Sequence, residues 1–139
     1  MSEKGYEFFD HTADVGLRVW GGSLEELFTR AGQALTTLLV EDSTVAATQE
    51  RSVALSASSV DSLLRVWLSE LLVWFSTDHF LAGGYALKVT PTQLSGRVQG
   101  ERFDASRHLC GTEVKGVTRH QLSVTQEAGR WTAQVILDV

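Results

Sequence analysis

The chain has 139 residues, 43% hydrophobic and 21% charged, with a formal net charge of −5. This is the composition of a globular protein with a core of its own, and its acidic balance argues against an extended phosphate-binding surface, which needs an excess of Lys and Arg. A single cysteine, Cys110, excludes both an intrachain disulfide and a thiolate zinc cluster, and reads as a passive small side chain.

The first residues, Met-Ser-Glu-Lys-Gly, carry no apolar signal region, and no apolar run approaches a membrane span. The expectation is a cytoplasmic protein. Tyr6 to Phe9 reads as a short strand. It runs into Phe8-Phe9-Asp10-His11-Thr12-Ala13-Asp14-Val15-Gly16, which concentrates two carboxylates, an imidazole and a hydroxyl. Asp and Thr side chains bond their own backbone two residues on, so this stretch can be a turn and nothing more. Carboxylate oxygens also suit Mg²⁺, Ca²⁺ and Mn²⁺, so it can equally be part of a hard-cation site.

Leu17 to Trp20 alternates as a second strand and stops at Gly21-Gly22. Ser23, followed by Glu26 three residues later, is a capping box. The apolar stripe behind it, from Leu24 to Leu39, predicts a helix ending near Val40. Arg51 to Ala57 predicts a strand. Ser58 or Ser59 caps a second helix with apolar positions from Val60 to Phe75, on which Asp61 and Arg65 form an i, i+4 pair. Trp67 and Trp74 fall at helical spacing and belong to the core rather than to a stacking platform.

From Phe80 the period shifts to two. Tyr85, Leu87 and Val89, then Leu94, Gly96 and Val98, predict a hairpin around Pro91-Thr92-Gln93. Glu101 to Gly111 reads as a polar connection containing Asp104, Arg107 and His108. A last hairpin turns at Glu127-Ala128-Gly129. Its second strand places Trp131, Val135 and Leu137 on one face and Asp138 on the other, just before Val139. The whole predicts one α+β domain over residues 1–139, with an antiparallel or mixed β-sheet and two main amphipathic helices packed on it.

No phosphate-binding loop, zinc-ligand spacing or nucleophile elbow is present, and the four histidines, His11, His79, His108 and His120, form no i, i+4 metal pair. The sharpest hypothesis the residues themselves offer is a hard-cation site shared between the acidic first loop and the carboxy terminus, where Asp138 is followed by the α-carboxylate.

Four ordered motifs carry a family resemblance. Asp10-His11-Thr12-Ala13-Asp14-Val15-Gly16 with Trp20-Gly21, Ser62-Leu63-Leu64-Arg65-Val66-Trp67-Leu68-Ser69-Glu70-Leu71-Leu72, Gly111-Thr112-Glu113-Val114-Lys115-Gly116-Val117-Thr118 and Gln134-Val135-Ile136-Leu137-Asp138-Val139 together resemble the archease family. Two segments depart from its pattern: Phe75 to His79 is less acidic, and Gly116 stands where alanine is usual. The resemblance implies a compact α+β fold and a cytoplasmic, non-catalytic accessory factor for an RtcB-type RNA ligase in tRNA splicing and RNA repair. It implies that this factor promotes guanylylation and multiple turnover of the ligase, which does the chemistry with its own histidine, GTP and Mn²⁺. It also implies a divalent-cation site (Ca²⁺, Mg²⁺ or Mn²⁺) made by Asp14, Asp138 and the terminal carboxylate of Val139.

Asp10 then reads as a loop-fixing residue and His11 as one that packs or bonds locally, with ligation as the alternative for each. No stable nucleic-acid binding is expected. Glu101, Asp104, Arg107, His108 and Lys115 are candidates for contacting the ligase, against the simpler reading of solvated loop residues. The competing functional classes are a chaperone-like protein-binding module and a stand-alone metal-dependent hydrolase.

Overall fold

A computed structural model describes residues 4–11, 13–41 and 43–139. Strand β1 (Tyr6–His11) and strand β2 (Asp14–Gly21) form an antiparallel hairpin whose ladder closes at His11 opposite Asp14. The loop expected over the acidic motif therefore shrinks to residues 12 and 13. Thr12, whose hydroxyl entered the turn reading, lies outside the described residues. Polar residues can sit at strand positions here because β1 is a sheet edge, where their side chains reach solvent.

Helix α1 (Leu24–Leu39) begins as its sequence dictates, with the Ser23 hydroxyl accepting from the Glu26 N–H. The reciprocal half of the capping box is displaced by one residue. Glu26 Oε1 accepts from the Gly22 N–H at 2.7 Å rather than from Ser23. Helix α2 (Val60–Asp78) is capped by Ser59 and ends at His79, which adopts the left-handed conformation and donates its N–H to the Phe75 carbonyl. Trp67 is fully buried, and its Nε1–H donates to the Phe28 carbonyl at 2.9 Å, fastening α2 to α1. Trp74 is also core.

Asp61 and Arg65 do not serve as the surface pair expected of them. Asp61 accepts from the Val124 N–H at 2.9 Å, and Arg65 Nε donates to the Val117 carbonyl at 2.9 Å. Both satisfy backbone groups of the sheet against which α2 packs. An orphaned buried backbone group costs more than a surface ion pair contributes, so the backbone wins.

The remaining strands are β3 (Val40–Glu41), β4 (Gln49–Ser56), β5 (Phe80–Val89), β6 (Gln93–Arg102), β7 (Leu109–Cys110), β8 (Gly116–Val117), β9 (Ser123–Glu127) and β10 (Arg130–Asp138). They form a sheet of order β1-β2-β10-β8, with β9 also on β10, a second sheet β4-β6-β5, and a small β3-β7 pair. Every described pairing is antiparallel, so of the two expected sheet types the mixed one is not realised. Helix α1 contacts β2 of the first sheet and β5 of the second, and α2 contacts β4, β5 and β8. One contiguous apolar core lies between these layers. Among the described residues no helix is long and apolar enough to cross a membrane.

The connection after β6 is solvated at Asp104 to Arg107, but it is anchored by two buried side chains, Glu101 at the end of β6 and His108. Glu101 is 6% exposed and His108 4%. The Glu101 carboxylate pairs with the Arg107 guanidinium, accepts from the Ala46 N–H at 2.5 Å and meets His108 Nε2 at 3.2 Å. His108 Nδ1 accepts from the Asp104 N–H, which leaves Nε2 to carry the proton that faces Glu101. Asp104 accepts from the Ser106 hydroxyl and N–H, and these bonds hold its carboxyl below the usual carboxylate range. Lys115 lies apart from this cluster. The network ties residue 46, at the start of the approach to β4, to the segment that leads into β7. Glu101→Ala, which strands several donors, should lower unfolding free energy by about 3 kcal/mol. Glu101→Gln, which keeps one acceptor oxygen, should lose less; urea denaturation of both variants checks the order.

Candidate functional site

The site follows from one ladder. Strand β10 lies against β2 with Trp131 opposite Gly21, Val135 opposite Leu17 and Leu137 opposite Val15. Leu17, Val19, Ala133, Val135 and Leu137 are at most 1% exposed and face the helices. Alternation sends Asp14, Gly16 and Arg18 of β2, and Gln134, Ile136 and Asp138 of β10, to the opposite face.

The ladder ends at Leu137 opposite Val15, and Asp138 and Asp14 are the next residues on the two strands. His11 flanks Asp14 on the other side, and Gly116 flanks Asp138. Two cross-strand pairs, His11–Asp14 and Asp138–Gly116, thus make up the end row of the sheet. Lys115 donates its backbone N–H to the Asp138 carbonyl at 2.7 Å, which ties down the end of β10. Val139 follows, half-buried. A Cβ on Gly116 would meet nothing within 4 Å, so the row opens onto space at that end. Asp10 does not belong to the row. It pairs with Val15 and points to the other face, exposed.

The floor beside the row is apolar. The Phe9 ring lies over Gly16, where a Cβ would come within 2.2 Å of ring atoms, and the Arg18 guanidinium sits 4.1 Å above the same ring. Ile136 is fully buried here although it lies outside the main core. Its carbonyl accepts from both the N–H and the hydroxyl of Thr118, at 3.0 and 2.9 Å, and Gln134 Nε2 donates to the Gln121 carbonyl. The segment from Thr118 to Gln121 is thereby drawn over the sheet, bringing the His120 ring to 5.1 Å from the His11 ring. Sequence reasoning scattered these two histidines, because nothing in the local pattern signals that residues 118–121 fold back over β10.

His11 Nδ1 stands 3.9 Å from Asp14 Oδ2, beyond hydrogen-bond distance, and is enclosed without any hydrogen-bond partner. Buried polar atoms are normally satisfied, and an orphan costs about 1–3 kcal/mol. An orphaned nitrogen beside a carboxylate, with a second carboxylate on the next strand, is a donor set that suits a divalent cation. Among the described residues no three His, Cys, Asp or Glu side chains converge as a ready-made cluster.

Comparison with known proteins identifies the family. The Archease protein family (MTH1598/TM1083) matches residues 6–139. The chain belongs to the archease family. It is 37% identical over 140 residues to Protein archease of Methanothermobacter thermautotrophicus, covering 98% of this chain and 99% of that one. To Protein archease of Methanosarcina mazei it is 33% identical over 141 residues, covering 98% and 97%. The solution structure of Methanobacterium thermoautotrophicum protein 1598 superimposes with a TM-score of 0.84 at 37% identity, covering 98% and 99%. The crystal structure of an archease from Thermotoga maritima, described as a possible chaperone, gives 0.70 at 20% identity and 94% coverage of both chains, a likeness of fold.

Adjacent like charges on neighbouring strands destabilise a sheet. In this archease-family chain Asp14→Asn should therefore stabilise the protein by about 0.5–1 kcal/mol in the presence of a chelator. Urea denaturation at pH 8 in EDTA reads the difference, and a loss of stability there would mean that Asp14 is a structural residue.

Proposed function

We propose that this chain is a non-catalytic, cytoplasmic accessory factor that activates an RtcB-type RNA ligase, promoting its guanylylation and repeated turnover in tRNA splicing and RNA repair. What supports the reading is a match to the archease family over residues 6–139, together with a β2–β10 ladder that ends at Leu137 opposite Val15 and so leaves Asp14 and Asp138 as the next residues on neighbouring strands.

Asp14, Asp138 and the α-carboxylate of Val139 would hold a divalent cation (Ca²⁺, Mg²⁺ or Mn²⁺). When bound, it supplies positive charge to which phosphate oxygens can be oriented. The chain's own part is positional. The β2–β10 ladder sets the distance between the carboxylates, and the Lys115–Asp138 backbone bond keeps the strand end from fraying. A cleft built for RNA and GTP is basic, so a partner of net charge −5 is steered toward it.

A chaperone-like role is the second reading. The Thermotoga maritima archease is described as a possible chaperone, and Val73 and Leu109 are here 51% and 61% exposed. Such a module would suppress aggregation of unrelated proteins without needing a cation.

Multiple-turnover RNA ligation by the partner ligase, with and without this protein, separates the readings. The wild type should stimulate, and an absence of stimulation ends the ligase reading. Asp14→Ala should lose at least the ~10- to 100-fold that even an outer-shell partner of a metal is worth. A peptide extension after Val139, which moves the α-carboxylate, should do the same while leaving aggregation suppression untouched.

A further inference from the structure

We propose that the groove between α2 and residues 114–117 is a docking surface for the partner ligase, and that its occupant is an acidic segment carrying an apolar side chain. The inference rests on the ligase reading above and adds to it a second surface, distinct from the carboxylates at the sheet end. The groove has a volume of about 310 Å³, at the small end of the usual pocket range, so it suits one or two protruding side chains. Leu72 and Val73 of α2, with Val114 and Val117 of the facing segment, form its apolar part, and Val73 is 51% exposed. Arg65, Leu72 and Val73 stand at i, i+7 and i+8, which puts them on one side of the helix.

Charge decides what covers this surface. Arg65 and Lys115 line the groove, and no carboxylate does. Among the described residues, Arg18, Arg30, Arg51, Arg97 and Arg107 are each paired with a carboxylate, whereas Arg65 and Lys115 are not. The Arg65 Nε–H is given to the Val117 carbonyl at 2.9 Å, which fixes the side chain and leaves its terminal nitrogens for another acceptor. Two such cations beside exposed apolar surface, in a chain of net charge −5, complement an acidic segment and repel a basic one. Strand β8 is the outermost strand on its side of the sheet, and a Cβ on Gly116 would meet nothing within 4 Å, so this wall is open to an approaching backbone. Gly116 also pairs with Asp138, so the basic groove adjoins the acidic end of the sheet. Opposite charges side by side fix orientation: the carboxylates turn toward a basic cleft while the groove takes acidic side chains at its rim.

Binding of the full chain to the ligase, followed by fluorescence anisotropy alongside multiple-turnover ligation, tests this. Val73→Asp should weaken binding about tenfold or more, because it sets a like charge against the occupant. Val73→Lys, whose stem keeps apolar contact and whose ammonium adds a cation, should weaken it by less than about threefold. Lys115→Glu should weaken it about tenfold, and Leu109→Asp, at an exposed apolar position outside the groove, by less than about twofold. A wild type that neither binds nor stimulates the ligase ends the ligase reading together with this inference. Wild-type affinity in both Val73→Asp and Lys115→Glu, with wild type stimulating normally, overturns the groove alone, and so does equal weakening by Val73→Asp and Val73→Lys. A homodimer of the free protein that Val73→Asp dissolves, with ligase affinity unchanged, assigns the groove to a second copy and likewise overturns the proposal. In case the variants fail to fold, amide hydrogen exchange of the wild-type complex decides the matter. Residues 72–76 and 114–117 should exchange more slowly than in the free protein, and unchanged exchange there overturns the docking surface.

Discussion

Everything at the candidate site depends on the pairing of β2 with β10, which brings residues near the two ends of the chain onto neighbouring strands. Its register is enforced by apolar alternation. Leu17 and Val19 on one strand, and Val135 and Leu137 on the other, must all reach the helix layer together. A slip of one residue would turn Asp138 toward the core and expose Leu137, exchanging a buried leucine for a buried carboxylate. The acidic residues are therefore placed by their apolar neighbours. Burial of the hydrophobic face fixes which positions remain for chemistry on the other.

That other face carries features a purely stability-driven sheet would avoid. Two aspartates occupy adjacent strands, an imidazole nitrogen is enclosed without a partner, and a glycine yields its side-chain space to the Phe9 ring. These departures from sheet design fall at one end of the sheet, on neighbouring rungs. Each of these features costs folding stability rather than adding to it. The apolar floor of Phe9 and Ile136 also has an electrostatic effect. It excludes water from one side of the row, so charges there act on each other and on a ligand more strongly than at an open surface.

Elsewhere the structure diverts charged residues to backbone work. Asp61 and Arg65 read as a helix-surface pair, yet each reaches a separate strand. Glu101 and His108 are buried within a stretch that is polar in composition and otherwise mostly exposed. The cause is the same in both places. Short strands and irregular segments present backbone N–H and C=O groups that no ladder satisfies, and nearby side chains supply the missing partners. Composition indicates that a segment is polar. Whether that polarity faces water or an unsatisfied backbone depends on which element is packed above it.

Local periodicity determined a great deal here. The two helices and their serine caps, the β5–β6 and β9–β10 hairpins, the core placement of Trp67 and Trp74, and the facing of Asp138 away from Leu137 all follow from spacing and turn chemistry within a few residues. Periods of 3.6 and 2 are properties of a single segment, so a single segment reveals them. They do not say which strand lies beside which. Tertiary structure alone decided that β10 enters between β2 and β8, that Asp10 faces away from the rung that pairs His11 with Asp14, and that residues 118–121 carry His120 to His11. Those outcomes come from burying one shared face among elements distant in sequence, a condition on the whole chain that no local window contains.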